Sequence, residues 1–396
     1  MIHRSAVLLA LICGAADVDT AVPADCRNVV LRGGLENSRL VFQNSGKGHV
    51  AFIGGSITEM NGYRPMVCEN LRRRFPKTEF TFTDAGISST CSTTGAFRLQ
   101  DQVLAKAPVD LIFVEFAVND DQDAHHARRE CIRGMEGILR HVRAHNPAAD
   151  IVVTHFINEG MLETFRKGEE PRSSRSHNEV LERHRISGIE LNREIAGRIQ
   201  GGTLTWKQFG GVHPGPDGNR ICANMIERLL DRAWAAPAAA GAAPKPYAPT
   251  PPLDPNSYDR GRFLDPAEAA IAGGWTIETP DWSALPGECR GRFKKETLLC
   301  ATRPGASLKL AFKGRAIGIY LLAGPDAGTV EVRIDGGAAR RVDLYHAYSG
   351  GLHYPRSVIF DADLGDGDHE LTMTLTDQKN AASKGTAARI LKFCAN

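Results

Sequence analysis

The sequence predicts an α/β domain built on a parallel, layered sheet, followed by an all-β domain of sandwich or jelly-roll type. Three observations carry this. Up to about Trp234, apolar runs of strand length alternate with helical patterns, as parallel sheets covered by helices require. From Ala235 to Pro255 the chain is almost wholly Ala, Pro and Gly with few apolar anchors, which reads as a linker. Beyond it come short runs of alternating apolar residues separated by Gly-rich turns.

The first part yields strand-like runs at His49 to Gly54, Glu79 to Thr83, Leu111 to Phe116 and Ile151 to Phe156. Helical patterns cover Tyr63 to Phe75, Cys131 to His145 and about Asn219 to Trp234. Glu159 to Ser176 is polar and charge-rich without an apolar face, so an exposed loop is expected there. In the second part the strands expected are Ser307 to Phe312, Ala316 to Leu322, Thr329 to Ile334, Ser357 to Phe360 and Glu370 to Leu375.

A length of 396 residues, 42% hydrophobic and 24% charged, suits a two-domain globular protein. Lys and Arg total 48 against 46 for Asp and Glu, so no strong field recruits nucleic acid or an anionic membrane. At the N-terminus, Arg4 precedes an apolar run from Ala6 to Ala16 that is too short to span a bilayer. This is the anatomy of a signal peptide, with small residues at Gly14 and Ala16 suiting one cleavage site and Val22 and Ala24 a second. A secreted or periplasmic protein without a membrane span follows. Without Cys13, the remaining cysteines are even in number and free to pair in an oxidising compartment; Cys289 and Cys300, flanking a short hairpin-like segment, are the expected bridge. No cysteine pair has zinc spacing, so no metal is expected.

The chemistry begins where the first long strand ends. Gly54 and Gly55 permit a tight turn, and Ser56 opens a helix expected to run to about Arg74. A helix N-terminus favours negative charge, which suits a nucleophilic hydroxyl beside an oxyanion. The same residues also read as a capping box, Ser56 with Glu59. Gly86 and Asn119 each follow a strand, where open parallel sheets place their ligands, though each also suits an ordinary turn. His213, followed by Pro214, Gly215 and a helix, has an imidazole able to take a proton near neutrality.

Taken in order, Gly54-Gly55-Ser56-Ile57-Thr58, Asp84-Ala85-Gly86-Ile87-Ser88, Ala117-Val118-Asn119-Asp120 and Gly211-Val212-His213-Pro214 resemble the four sequence blocks of the SGNH, or GDSL-like, hydrolases from about Gly48 to Trp234. The resemblance implies a flavodoxin-like three-layer sandwich and a serine esterase needing no cofactor. Ser56 would be its nucleophile and His213 its base, with an oxyanion hole of Ser56, Gly86 and Asn119. The chain departs from that pattern at Ala117, where the family has Gly, and at Gly210, where it usually has the Asp that orients the histidine. A Ser-His pair with a backbone carbonyl in place of the acid is one substitute; Asp217, Glu115 and Asp120 are the side-chain candidates. The layout then reads as a signal peptide over 1–24, a hydrolase domain over 25–235, a linker over 236–258 and a β-sandwich accessory domain over 259–396.

The accessory domain resembles jelly-roll modules found with carbohydrate esterases, which implies a small acyl ester, acetyl above all, on a polysaccharide or smaller carbohydrate. Its stretch from Leu344 to Pro355 gathers Tyr345, His346, Tyr348, His353 and Tyr354 around a Gly-Gly turn, either to stack on sugar or to pack inside the sandwich. Two other readings stay open: a non-catalytic carbohydrate-binding or scaffold protein that lost activity with the acid at position 210, and a lysophospholipase, thioesterase or acyltransferase.

Overall fold

The computed structural model describes residues 18–239 and 241–396. The apolar run of the expected signal peptide, with Gly14 and Ala16, lies outside the described residues. The N-terminal unit is built on a six-stranded sheet: β1 (Val29–Val30), β2 (Lys47–Gly54), β3 (Glu79–Gly86), β4 (Leu111–Glu115), β5 (Asp150–Thr154) and β6 (Ser187–Ile189). Their order is β1-β6-β5-β4-β2-β3. β2 to β6 run parallel and only the edge strand β1 is antiparallel.

The helices are α1 (Glu36–Ser45), α2 (Ser56–Glu59), α3 (Tyr63–Arg74), α4 (Ser92–Leu99), α5 (Arg128–His145), α6 (Glu159–Arg166), α7 (Arg172–His184), α8 (Leu191–Gln200), α9 (Trp206–Phe209) and α10 (Pro216–Ala233). Successive strand residues point to opposite faces. Val50, Phe52, Leu111, Phe113 and Val152 therefore meet Phe42 of α1, Leu71 of α3 and Ile221 of α10. Ala51, Ile53, Ile112, Val114 and Val153 meet Phe97 of α4, Met135 of α5 and Val180 of α7. Burial on both faces is why these strands read as continuous apolar runs rather than as alternation.

The C-terminal unit is antiparallel: β7 (Arg262–Leu264), β8 (Ala270–Gly273), β9 (Thr276–Glu278), β10 (Leu298–Ala301), β11 (Ser307–Gly314), β12 (Ile317–Ala323), β13 (Gly328–Ile334), β14 (Arg340–Asp343), β15 (Tyr354–Asp361), β16 (Gly367–Lys379) and β17 (Ala388–Ala395). One sheet has the order β15-β12-β17-β10-β9, with β7 also on β17; the other is β14-β13-β16-β11-β8. Leu308, Leu310, Val330, Leu371 and Met373 of the second sheet pack on Leu299, Ile319, Leu321, Ile390 and Phe393 of the first, a sandwich core.

Four expectations change. The single helix from Ser56 to Arg74 is two, α2 and α3, because the backbone turns extended at Met60 and non-helical at Gly62. Glu159 to Ser176 is no bare loop: Asn158 caps α6 through the Met161 N–H, and Met161 and Leu162 are buried. Cys289 and Cys300 do not pair; both are buried free thiols, as are Cys26, Cys68, Cys91, Cys131, Cys222 and Cys394. The segment between them is not a hairpin but a 3₁₀ turn, Gly291–Phe293, feeding β10, which pairs instead with β9 and β17.

The expected linker is irregular yet fastened to the α/β unit. Tyr247 donates to Asp150 at 2.5 Å and to Gly34 O at 2.8 Å, and Arg143 lies over its ring at 4.1 Å. Glu136 receives the N–H groups of Leu253 and Asp254 at 2.7 and 3.0 Å. Tyr258 is buried against Phe97. The apolar layer around α4 and α5 continues into Phe293, Leu298, Tyr320, Leu322 and Cys394 of the β unit. A shared apolar layer of this kind resists independent motion of the two units.

Candidate active site

Chain order locates the crevice. From β2 the chain adds β3 on one side and β4 on the other, so the carboxyl end of β2 is the point where the winding reverses, and ligands of open parallel sheets bind there. Gly54 is in register with Gly86 of β3 and Glu115 of β4. The segments that follow these three residues therefore rise side by side.

Ser56 is the first residue of α2, and its side chain makes no capping bond. The capping-box reading fails because Glu59 is engaged elsewhere, taking the Ser88 N–H at 2.8 Å and the Ser88 hydroxyl. As the first helical residue, Ser56 has an N–H without a partner in the helix. Gly55 has to be glycine: a Cβ there would lie 2.0 Å from Asn119 Oδ1, so Asn119 and the turn before Ser56 pack directly on one another.

His213 arrives from the other end of the unit. Thr205 and Gln208 form a capping box on α9, and Gly210 and Gly211, with φ of +101° and +80°, reverse the chain after it. The loop is pinned by the Gly215 N–H on Phe209 O at 2.8 Å and by Asn219 Nδ2 on Pro214 O at 2.6 Å. His213 Nε2 then lies 2.8 Å from Ser56 Oγ.

The two side chains open onto a cleft of about 440 Å³ lined also by Ser88, Ser89, Asn119, Gln122 and Asp123. Arg290, Tyr348, Leu352 and Tyr354 of the β unit form its other wall. Tyr348 is half exposed, while His346 stacks on Tyr354 with centroids 4.2 Å apart and bonds Asp123 O at 2.8 Å. The aromatic stretch thus serves both the interface and the cleft.

Other sequence expectations need correction. The Gly86 N–H is spent on its own Asp84 carboxylate at 3.0 Å, and Gly86 does not line the cleft. Ser89 does, with φ of +70° and, among the described residues, no hydrogen-bond partner for its N–H. In sequence Ser89 is one of several small residues in a turn, and only the left-handed conformation marks it.

Asn119 donates to Asp123 at 2.6 Å, leaving its second amide proton. Burial pushes the Asp123 carboxyl up.

None of the three candidate acids bonds His213, and among the described residues its Nδ1 has no partner. Asp217 is exposed on the first turn of α10. Glu115 is fully buried beneath the Ser56 turn, accepting from Gly55 N at 3.4 Å and Thr58 Oγ1 at 3.2 Å, and burial pushes it up to about 7.

Asp120 is buried, bonded to Ser92 N, Ser92 Oγ and His177 Nε2 at 2.7 to 2.8 Å. Burial opposes its charge, but His126 and His177 outweigh that and hold the carboxyl well below its usual range. Atoms of Cys91, Asp120 and His126, and of Asp120, Cys131 and His177, lie within 4.8 Å of one another. The Asp120 oxygens are already taken by Ser92 and His177, so this is a hydrogen-bonded ionic cluster rather than an open ligand set.

A serine hydroxyl against an imidazole, at the head of parallel strands, agrees with what known families record. Residues 52–221 match the GDSL-like lipase/acylhydrolase family. The N-terminal domain is a GDSL-like acylhydrolase domain. Both units of the chain find counterparts together in a solved two-domain esterase active on acetylated mannans, co-crystallised with mannopentaose. Its chain is 20% identical, with a TM-score of 0.73 over 93% of this chain and 96% of that one. A second structure described as a two-domain esterase active on acetylated mannans gives the same identity and TM-score over 93% and 97%. The fold of the acylhydrolase domain and of the β unit is therefore that of a two-domain esterase. No curated protein matches the chain. Among the described residues no helix is long and apolar enough to cross a membrane.

Proposed function

We propose that this acylhydrolase is an exported serine esterase that removes small acyl groups, acetyl above all, from polysaccharide. The observation that carries the reading is the 2.8 Å contact between Ser56 Oγ and His213 Nε2 in a cleft walled by both units. Ser56 Oγ attacks the ester carbonyl as His213 Nε2 takes its proton. The carbonyl oxygen becomes an oxyanion held by the N–H groups of Ser56 and Ser89 and the Asn119 amide. Each such donor is worth roughly 3 kcal/mol of barrier. His213 returns the proton to the departing alcohol, and a water activated by the same imidazole releases the acid.

Support for the substrate class is of two kinds. Exposed Tyr348 offers a flat apolar face of the type that stacks on sugars, and among the described residues it is the one exposed large hydrophobic side chain lining the cleft, far short of the broad apolar surface that an aggregated lipid needs. The fold is shared across both units with an esterase active on acetylated mannans.

Export is part of the proposal, with cleavage after Ala16. Residues Asp19 to Cys26 supply carbonyls to Arg198, Asn224, Arg228 and Arg232, and Val22 is buried, so a cut at Ala24 would strip bonds from α8 and α10. Sequencing the exported protein is expected to read from Asp17; a start at Asp25 would refute this.

The unpartnered Nδ1 of His213 favours one rival, a carbohydrate-binding protein without turnover. Hydrolysis of p-nitrophenyl acetate and acetate release from acetylated polysaccharide, by wild type and by Ser56→Ala, separate the two. The esterase reading expects the variant to fall to background; equal rates would sink it. Release of fatty acid from lysolipids in place of acetate would move the activity to a lysophospholipase.

A further inference from the structure

The loop that leaves β3 is fastened by side chains from the other unit. Arg290 donates to Ser88 O at 2.9 Å and to Ser89 Oγ at 2.8 Å. Tyr354 donates to Ser89 O at 3.3 Å. Arg292 donates to Gly86 O at 3.0 Å and to Glu59 at 2.6 Å, and Glu59 in turn holds the N–H and hydroxyl of Ser88. Three residues of the α/β unit, Gly86, Ser88 and Ser89, are thus held from residues more than 200 positions away in the chain.

Ser89 needs such a frame. A residue with a side chain is disfavoured at φ of +70° relative to the right-handed region, so a free loop would relax away from it. Its carbonyl and hydroxyl are both held, whereas its N–H has no partner among the described residues. Ser89 lines the same cleft as Ser56 and Asn119.

Resting on the esterase reading above, we propose that the β unit belongs to the oxyanion machinery. Arg290, supported by Arg292 and Tyr354, is a positioning residue that keeps Ser89 left-handed with its N–H free for the oxyanion. The β unit is therefore required even for an ester too small to reach any sugar-binding surface. A module that only captured polysaccharide would leave such an ester untouched.

The test measures kcat and KM on p-nitrophenyl acetate in the full chain for wild type, Ser56→Ala, Arg290→Gln, Arg290→Lys, Arg292→Gln and Asp363→Asn. Outright loss of an oxyanion donor lowers kcat about 10²- to 10³-fold, so a mis-set donor in Arg290→Gln is expected to lower it about ten- to a hundredfold, with KM within about twofold. Arg290→Lys, which keeps the charge but spans fewer oxygens, is expected to fall between it and wild type, and it carries the test should Arg290→Gln not fold. Arg292→Gln is expected to lower kcat as well. Asp363 joins the units through Arg129 and Arg133 and makes no hydrogen bond to the loop among the described residues, so Asp363→Asn is expected to keep wild-type kinetics. Wild-type kcat in both Arg290 variants, or an equal loss in Asp363→Asn, overturns the proposal. Equal rates for wild type and Ser56→Ala would instead remove the esterase reading itself.

Discussion

Restoring an aspartate at position 210, three residues before His213, is the change that family resemblance recommends and the structure opposes. Gly210 has φ of +101°, and a Cβ there would stand 2.0 Å from the Gly215 nitrogen and 2.8 Å from its Cα. Holding a side-chain residue in that region costs about 1–3 kcal/mol, and driving two backbone segments apart adds about 1–3 kcal/mol. At roughly 2–4 °C per kcal/mol, Gly210→Asp is expected to lower the melting temperature by roughly 5 to 20 °C. The displaced atom is the donor of the 2.8 Å bond to Phe209 O that pins the His213 loop, so the Ser56 contact is lost with it and esterase activity falls. Thermal melts read by circular dichroism and kinetics on p-nitrophenyl acetate check both effects. Gly210→Ala, which adds the Cβ without a carboxylate, is expected to behave alike. A Gly210→Asp variant that melts with wild type and turns over faster would show that the loop accepts the acid, and the steric reasoning would be wrong.

Other consequences follow from individual residues. Burial raises Glu115 from 4.5 to about 7, so its favourable contribution is complete below about pH 4.5 and is lost as pH rises through about 7, a change of roughly 3 kcal/mol. Glu115→Gln should therefore gain stability relative to wild type between about pH 4 and pH 8 in urea unfolding, and a constant difference would contradict it. Asn119→Ala is expected to lower kcat about 10²- to 10³-fold; a loss under tenfold would remove Asn119 from the oxyanion site. Tyr247→Phe strips the hydroxyl bonded to buried Asp150 and Gly34 O and is expected to cost about 1–3 kcal/mol, whereas unchanged stability would mean the linker contributes nothing to the fold.

How far the sequence reaches depends on the range of the interaction concerned. The strands at His49 to Gly54 and Leu111 to Phe116 were legible because two-sided burial writes a continuous apolar run into the chain. Ser56, Asn119 and His213 could be singled out as candidates because their segments follow one another in the order of one family, although Ser56 alone also suits a cap and Asn119 a turn. Strand β1, only two residues long, left no such period, and the break at Met60 to Gly62 lay inside a helical pattern. Gly86 was the amide donor that the family resemblance implied, but Asp84 two residues away takes that N–H, a competition invisible without geometry.

By itself, then, the amino-acid order determined the layered α/β unit and the sandwich that follows, which rest on periodicity and short-range turn chemistry, while the serine and histidine of the cleft were singled out by the resemblance of four segments to one family. Tertiary structure decided what depends on groups far apart in the chain. It set Ser89 in its left-handed conformation under Arg290 and Tyr354, left position 210 without room for a side chain, and tied the Pro-rich segment to Asp150 and Glu136. Hydrogen bonds and steric contacts between remote residues carry no period along the chain, so they become readable only once the chain has closed on itself.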